Sequence, residues 1–201
     1  MIHRLTSDLP SFKTLVFGPG LNILLADKSE GASDRQSRNG AGKTSFVELV
    51  HFLFGSTPKP ASIFRSEALV QWVFEMRADI GSEVVDVARS GAKPSRIRIT
   101  GDTPQWPLQP TFETKTGERS FTNDQWCALL GAVFFDLPLD GTEEWGRFSP
   151  KFRSLFSYFA RRQNSGGFQQ PIQQSAKQQP WDQQVAISRL LGLDPNIPRE
   201  F

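Results

Sequence analysis

An α/β fold with a mixed sheet around one central helix is what the 201-residue sequence predicts, and three observations predict it. The run Ser37-Arg38-Asn39-Gly40-Ala41-Gly42-Lys43-Thr44 is close to G-x-x-x-x-G-K-[ST], with Ser37 where the first glycine usually stands. Ahead of it, Leu21-Asn22-Ile23-Leu24-Leu25-Ala26 is a short apolar run of the kind that forms a buried strand. Behind it, Phe46, Leu49, Val50, Leu53 and Phe54 recur at i, i+3, i+4, i+7 and i+8, one face of a helix that Gly55 closes. Strand, glycine loop and helix in that order make a phosphate site.

The residue types explain why. Gly40 and Gly42 let the backbone curl so that successive N–H groups point at phosphate oxygens, and the helix N-terminus adds unpaired donors and a favourable dipole. Lys43 supplies a cation to the β- and γ-phosphates, and the Thr44 hydroxyl can complete a Mg²⁺ shell. Asn39, Gly40, Ala41, Gly42, Lys43, Thr44 and Ser45 are therefore the nucleotide-binding candidates, with ATP and Mg²⁺ as cofactors. Asp27, Lys28 and Arg38, in the polar insert between run and loop, are further candidate contacts.

Ahead of this unit, strands at 1–5 and 14–17 are joined by the turn cluster Ser7-Asp8-Leu9-Pro10, and Gly18-Pro19-Gly20 leads into the buried run. After it come three strands, 68–80, 84–88 and 96–100, separated by Gly81-Ser82 and Ser90-Gly91-Ala92, as in a meander. In the third, Arg96, Arg98 and Thr100 alternate with Ile97 and Ile99: one face is apolar and the other cationic, either a solvated face or a phosphate-backbone contact. Residues 102–110 read as loop. A helix capped by Thr122 or Asn123 runs through Val133 on Trp126, Leu129 and Leu130. Ser149-Pro150 reads as the start of another helix, striped by Phe152, Leu155, Phe156 and Phe159 and ending in Arg161-Arg162. A glutamine-rich tract through Gln184 reads as irregular or linker, and 181–191 as a last helix.

Composition narrows the class. Hydrophobic residues make up 38% and Phe alone counts 17, enough for a packed core, while a net charge of +2 demands no nucleic-acid partner. Cys127 stands alone and only His3 and His51 are present, so neither a disulfide nor a Cys/His metal cluster is available. No stretch approaches ~18 apolar residues, so no membrane partner is expected and the chain reads as cytoplasmic.

Phe17-Gly18-Pro19-Gly20-Leu21-Asn22-Ile23-Leu24 followed by Asn39-Gly40-Ala41-Gly42-Lys43-Thr44-Ser45 resembles the N-terminal head lobe of ABC-type ATPases of the structural-maintenance-of-chromosomes class, which includes SbcC-type repair ATPases and RecF. More narrowly, Ser149-Pro150-Lys151-Phe152-Arg153-Ser154-Leu155 with Phe159-Ala160-Arg161-Arg162-Gln163 resembles the coiled-coil ATPases of bacterial three-component ABC systems. The resemblance implies a P-loop ABC-ATPase-type N-terminal lobe over 1–168, with 169–201 leading toward a coiled coil. It implies a Q-loop glutamine, matched by Gln163, as a catalytic and Mg²⁺-contacting residue beside Lys43 and Thr44. Its partners would be a C-terminal lobe, a second head in a homodimer, DNA and other subunits of a repair or anti-phage defence complex. No L-S-G-G signature is present. The one Walker-B-like run is Ala132-Val133-Phe134-Phe135-Asp136, with Asp136 as its acid, continuing from a helical pattern. Two other readings stay open: a self-contained P-loop phosphotransferase using Asp136, with Arg161 and Arg162 on a lid, and a non-catalytic nucleotide-sensing module.

Lys43→Ala is expected to weaken ATP binding by at least ~2 kcal/mol, the scale of a lost charge-assisted contact. Thr44→Ala is expected to weaken it only when Mg²⁺ is present. Titration of a fluorescent ATP analogue with and without Mg²⁺ checks both, and equal Thr44→Ala losses under the two conditions contradict the metal role.

Overall fold

The computed structural model describes residues 1–25, 43–139 and 150–193. Among these, seven strands form one sheet in the order β2-β1-β3-β4-β5-β7-β6. They are β1 (Ile2–Ser7), β2 (Leu15–Val16), β3 (Val73–Ile80), β4 (Glu83–Ser90), β5 (Arg96–Thr100), β6 (Thr111–Glu113) and β7 (Glu118–Thr122). Four helices accompany them: α1 (Lys43–Leu53), α2 (Asn123–Phe135), α3 (Phe152–Phe159) and α4 (Pro180–Leu190). The fold is mixed α and β, as predicted.

The sheet is not mixed in strand direction. Every pairing among the described residues is antiparallel. For three of these pairs the cause is connection length: short turns join β3 to β4, β4 to β5 and β6 to β7, and a parallel pair needs a crossover of a dozen residues or more. Ile80 pairs with Glu83 across a two-residue turn in which Gly81 has φ 67°, the left-handed conformation such a hairpin requires.

Alternation sorts the sheet into two faces. Phe74, Met76, Ala78 and Ile80 of β3, Val85 and Val87 of β4, Ile97 and Ile99 of β5, and Phe121 of β7 are buried beneath α1 and α2. The opposite face carries charge, and it is paired. Asp86 lies 2.9 Å from Arg77 and 3.7 Å from Arg4, while Glu118 lies 2.9 Å from Arg98 and 3.2 Å from Arg96. Arg96 also binds Glu113. The cationic face expected on β5 is thus balanced by acids from its neighbours, leaving an ordinary solvated ion-pair ladder.

Several boundaries differ from expectation. The buried strand predicted for 21–26 is absent over 21–25, and Ala26 lies outside the described residues. Leu21, Ile23 and Leu25 are 87%, 71% and 81% exposed. The Asn22 side chain ties the preceding turn, accepting from Gly18 N–H and donating to the Gly18 and Gly20 carbonyls. The chain therefore leaves the sheet beside β2, an edge strand, and no described strand lines up beside it. Residues 68–72 form turns rather than strand, and β6 and β7 occupy a region that carried no strand signal. Ser149 lies outside the described residues; α3 begins at Phe152 with Lys151 as its N-cap, so Pro150 precedes the helix instead of opening it. Of its predicted stripe, Phe159 is 70% exposed. The glutamine-rich tract is irregular but tied down: Arg161 donates to the Gly167, Gln170 and Pro171 carbonyls, and Gln178 bridges Tyr158 and Asp182.

The turn at Gly91 approaches another backbone closely. A Cβ there would stand 1.6 Å from the Phe64 carbonyl oxygen, in the short 3₁₀ turn Ile63–Arg65. Phe64 in turn stacks on Phe52 of α1 with ring centroids 4.3 Å apart. Gly91→Ala must displace that turn and is expected to cost about 3 kcal/mol, the upper range for overpacking. A lowered urea midpoint with unchanged slope is the readout. Gly18→Ala, with nothing within 4 Å of its Cβ, is the control and should stay within about 0.5 kcal/mol.

Candidate functional site

The predicted phosphate loop meets the described structure at the start of α1. Asn39, Gly40, Ala41 and Gly42, with Asp27, Lys28 and Arg38, lie outside the described residues. Lys43 opens the helix, and Thr44 and Ser45 follow on its exposed first turn. Phe46 packs against Phe17 at 6.0 Å between ring centroids, so the first turn of α1 sits beside the end of β2.

Gln163 comes to the same place. A cleft of about 510 Å³ is lined by Thr44 and Glu48 of α1 and by Arg162, Gln163, Asn164 and Phe168. A second, of about 490 Å³, shares Thr44, Glu48, Arg162 and Asn164 and adds Ser45 and Lys59. Among the described residues the Gln163 and Asn164 amides have no protein partner, which leaves both available to a ligand.

The join between the two segments is an ion pair. Glu48 accepts from Arg162 Nε at 2.7 Å and from Nη2 at 3.0 Å, the fork geometry that orients as well as attracts. One turn further along α1, His51 is fully buried. Its Nε2–H donates to the Ala160 carbonyl at 2.6 Å, and its Nδ1 accepts from Arg153. That arrangement requires the neutral ring. Burial, then the Arg153 and Arg162 charges, push its pKa down to about 3. Glu48, Asn164 and His51 were not singled out by sequence, and Arg162 was a candidate only as a lid arginine. Glu48 had one readable signal, its i+4 spacing from Thr44 on a helix.

Thr44 and Gln163 offer neutral oxygens; a Mg²⁺ ion held there would need substrate phosphates and water for the rest of its shell, because the carboxylate lining the cleft, Glu48, is bound to Arg162. No group of three or more His, Cys, Asp or Glu side chains with metal-site geometry occurs among the described residues.

Asp136 does not join this site. Residues 132–135 are helical, and Asp136 is the left-handed C-cap of α2 with φ 51°. It lines a separate cleft with Phe159 and Arg189. The strand reading of 132–136 is corrected, because the helical pattern of Trp126, Leu129 and Leu130 simply continues. Arg161 and Arg162 are likewise engaged, one with loop carbonyls and the other with Glu48. No helix among the described residues is long and apolar enough to cross a membrane.

Comparison of the chain with protein-family models, with curated proteins and with solved structures finds no match.

Neutral His51 gives a pH prediction. The unfolded chain takes up a proton below about pH 6.5, whereas the native ring resists it down to about 3, so stability falls as pH drops through that window. The slope is about 1.4 kcal/mol per pH unit well below pH 6.5. His51→Gln, which keeps a donor for Ala160 and cannot titrate, should lose about 2 kcal/mol less than the parent between pH 7 and 4.5. Urea denaturation at both pH values checks it; parallel losses overturn the assignment.

Proposed function

We propose that this chain is the ATP-binding lobe of a two-lobed ATPase whose site is completed by groups from elsewhere. The observation that carries the reading is that Thr44 and Gln163, far apart in sequence and chosen for complementary roles, line one cleft at the start of α1. The sequence places a glycine loop and Lys43 immediately before that point. ATP would lie with its phosphates on the loop amides and Lys43, and Mg²⁺ would be held by Thr44, the phosphates and Gln163.

A second observation favours a shared site. Glu48, a carboxylate lining the cleft, is held by Arg162 and so is poorly placed to activate water. The water-activating acid would come from a C-terminal lobe, on this polypeptide or another, and a second head would close over the nucleotide. The exposed apolar run at 21–25 is a surface such a lobe would cover. The resemblance to SMC- and SbcC-like heads extends this to a P-loop lobe of a cytoplasmic, DNA-associated machine in repair or anti-phage defence.

The lone chain should bind ATP and release phosphate near background, with turnover appearing only when a C-terminal lobe is added. Brisk turnover by residues 1–201 alone overturns the shared-site reading. Gln163→Ala should leave ATP affinity within about tenfold, ~1.4 kcal/mol, because loop amides and Lys43 hold most of the phosphate charge. It should nonetheless sharply reduce hydrolysis and head association in the assembled protein. Gln169→Ala is the control and should change neither. If the two variants behave alike, Gln163 has no role at the site.

A further inference from the structure

We infer that Glu48 is a positioning residue: through its ion pair with Arg162 it sets where Gln163 and Asn164 stand relative to Thr44. The inference rests on the nucleotide-binding reading above and adds to it Glu48, which neither the motif nor the resemblance supplies, and a positioning role for Arg162.

The geometry makes Arg162 the foundation of the Gln163 turn. Its side chain reaches Glu48 by two hydrogen bonds and Ser56 Oγ at 3.3 Å. Its carbonyl accepts from Gly167 N–H at 3.1 Å and from Ser165 Oγ at 3.1 Å. The Gln163 carbonyl then accepts from Gly166 N–H at 3.0 Å, closing a turn in which Gly166 has φ 74°. The 163–165 turn is thus joined to α1 through one guanidinium, held by the Glu48 carboxylate and by Ser56 Oγ, while on its other side the Ser165 carbonyl accepts from Ala176 N–H at 2.8 Å. Glu48 lies four residues after Thr44 on the same helix, one turn below it on the same face. On the α1 side, the separation between Thr44 and the Gln163 turn is therefore set by a rigid helix and a bidentate pair.

Charge gives the pair a second role. An arginine lining a phosphate site would be drawn to the anion if left alone, carrying the turn with it. The Glu48 carboxylate neutralises Arg162 and keeps its fork directed at α1. His51 lies on the next turn of α1, where Arg153 of α3 binds its Nδ1, and the neutral ring adds no charge that competes for Glu48.

The experiment uses the purified chain, ATP as the ligand, and Glu48→Gln, Arg162→Gln and the double variant. Affinity is measured with and without Mg²⁺. Each single variant should lower Mg²⁺-ATP affinity at least fivefold and Mg²⁺-free affinity less than twofold. The double should lose no more than either single, because both act through one interaction. Without nucleotide, hydrogen exchange at the Gly166 and Gly167 amides should quicken at least tenfold in Glu48→Gln. Should either substitution prevent folding, Arg162→Lys, which keeps the charge and loses the fork, carries the same expectation. If the parent binds ATP and Glu48→Gln retains its full Mg²⁺-dependent gain, the positioning role alone is overturned. Equal losses with and without Mg²⁺ overturn it as well, by making the pair purely structural. A parent that binds no ATP under either condition overturns the nucleotide reading, and this inference with it.

Discussion

Each backbone carbonyl from Phe52 to Ser56, where α1 ends, is taken by a side chain from another element. Arg89 of β4 donates to the Phe52 and Ser56 oxygens, Trp126 to Leu53, Arg153 to Phe54, and Asn123 to Gly55. The end of a helix leaves its last carbonyls without partners, and burying one unpaired costs about 1–3 kcal/mol. Here the cost is met from β4, α2 and α3 at once, so the three elements are tied through the end of one helix. Arg89 is 2% exposed and has no carboxylate partner among the described residues. Its charge is balanced by carbonyl oxygens, the negative end of the α1 dipole and the face of Phe52, 4.4 Å from the guanidinium carbon. Burial lowers its pKa to about 10, which still leaves it charged at neutral pH.

That anchoring explains why the opposite end of α1 can serve as a site. A helix held at its C-terminal carbonyls has a fixed axis, and the donors at its other end point to a fixed place. The same helix presents Glu48, His51 and the Phe54 carbonyl in succession, and each meets the segment from Arg153 to Arg162. Position along α1 is converted into position of α3 and the turn after it. The neutral state of His51 belongs to this arrangement: a protonated ring would lose its Nδ1 acceptor and set a cation against two guanidiniums.

Legibility in the sequence followed the physical signal each element carries. The α1 face, the Thr122 cap of α2 with its Gln125 partner, and the Gly81 hairpin rest on local periodicity and turn chemistry, which a sequence displays. The 21–25 run displays the pattern of a buried strand, but burial depends on a neighbour, and no local pattern says whether one is present. β6 has three residues, and its pairing with β7 becomes recognisable only across the turn that joins them. Nothing local in the sequence marks Arg89 for burial or Arg153 for partial burial; both are drawn in by the cluster of carbonyls at the end of α1. Gln163 was a candidate by resemblance and Arg162 only as a lid arginine, whereas Glu48 became a candidate only once the fold had brought it within hydrogen-bonding distance of Arg162.

Among the described residues, several unmet interactions lie near the start of α1. The outer face of the sheet is balanced by its own acids and bases, and the C-terminal end of α1 is closed by side chains. At the other end, Phe17 packs on Phe46 and brings the edge of the sheet to the first turn of α1. From there the chain runs through Leu21, Ile23, Leu24 and Leu25, all substantially exposed. Fully burying such side chains is worth about 1.5–3 kcal/mol each, so covering several of them would offset much of the cost of ordering an added segment. The free amides of Gln163 and Asn164 and the exposed Thr44 hydroxyl belong to the same end of α1. On the proposed reading, nucleotide would supply the charge and a second lobe the cover, and each would make the arrival of the other more favourable.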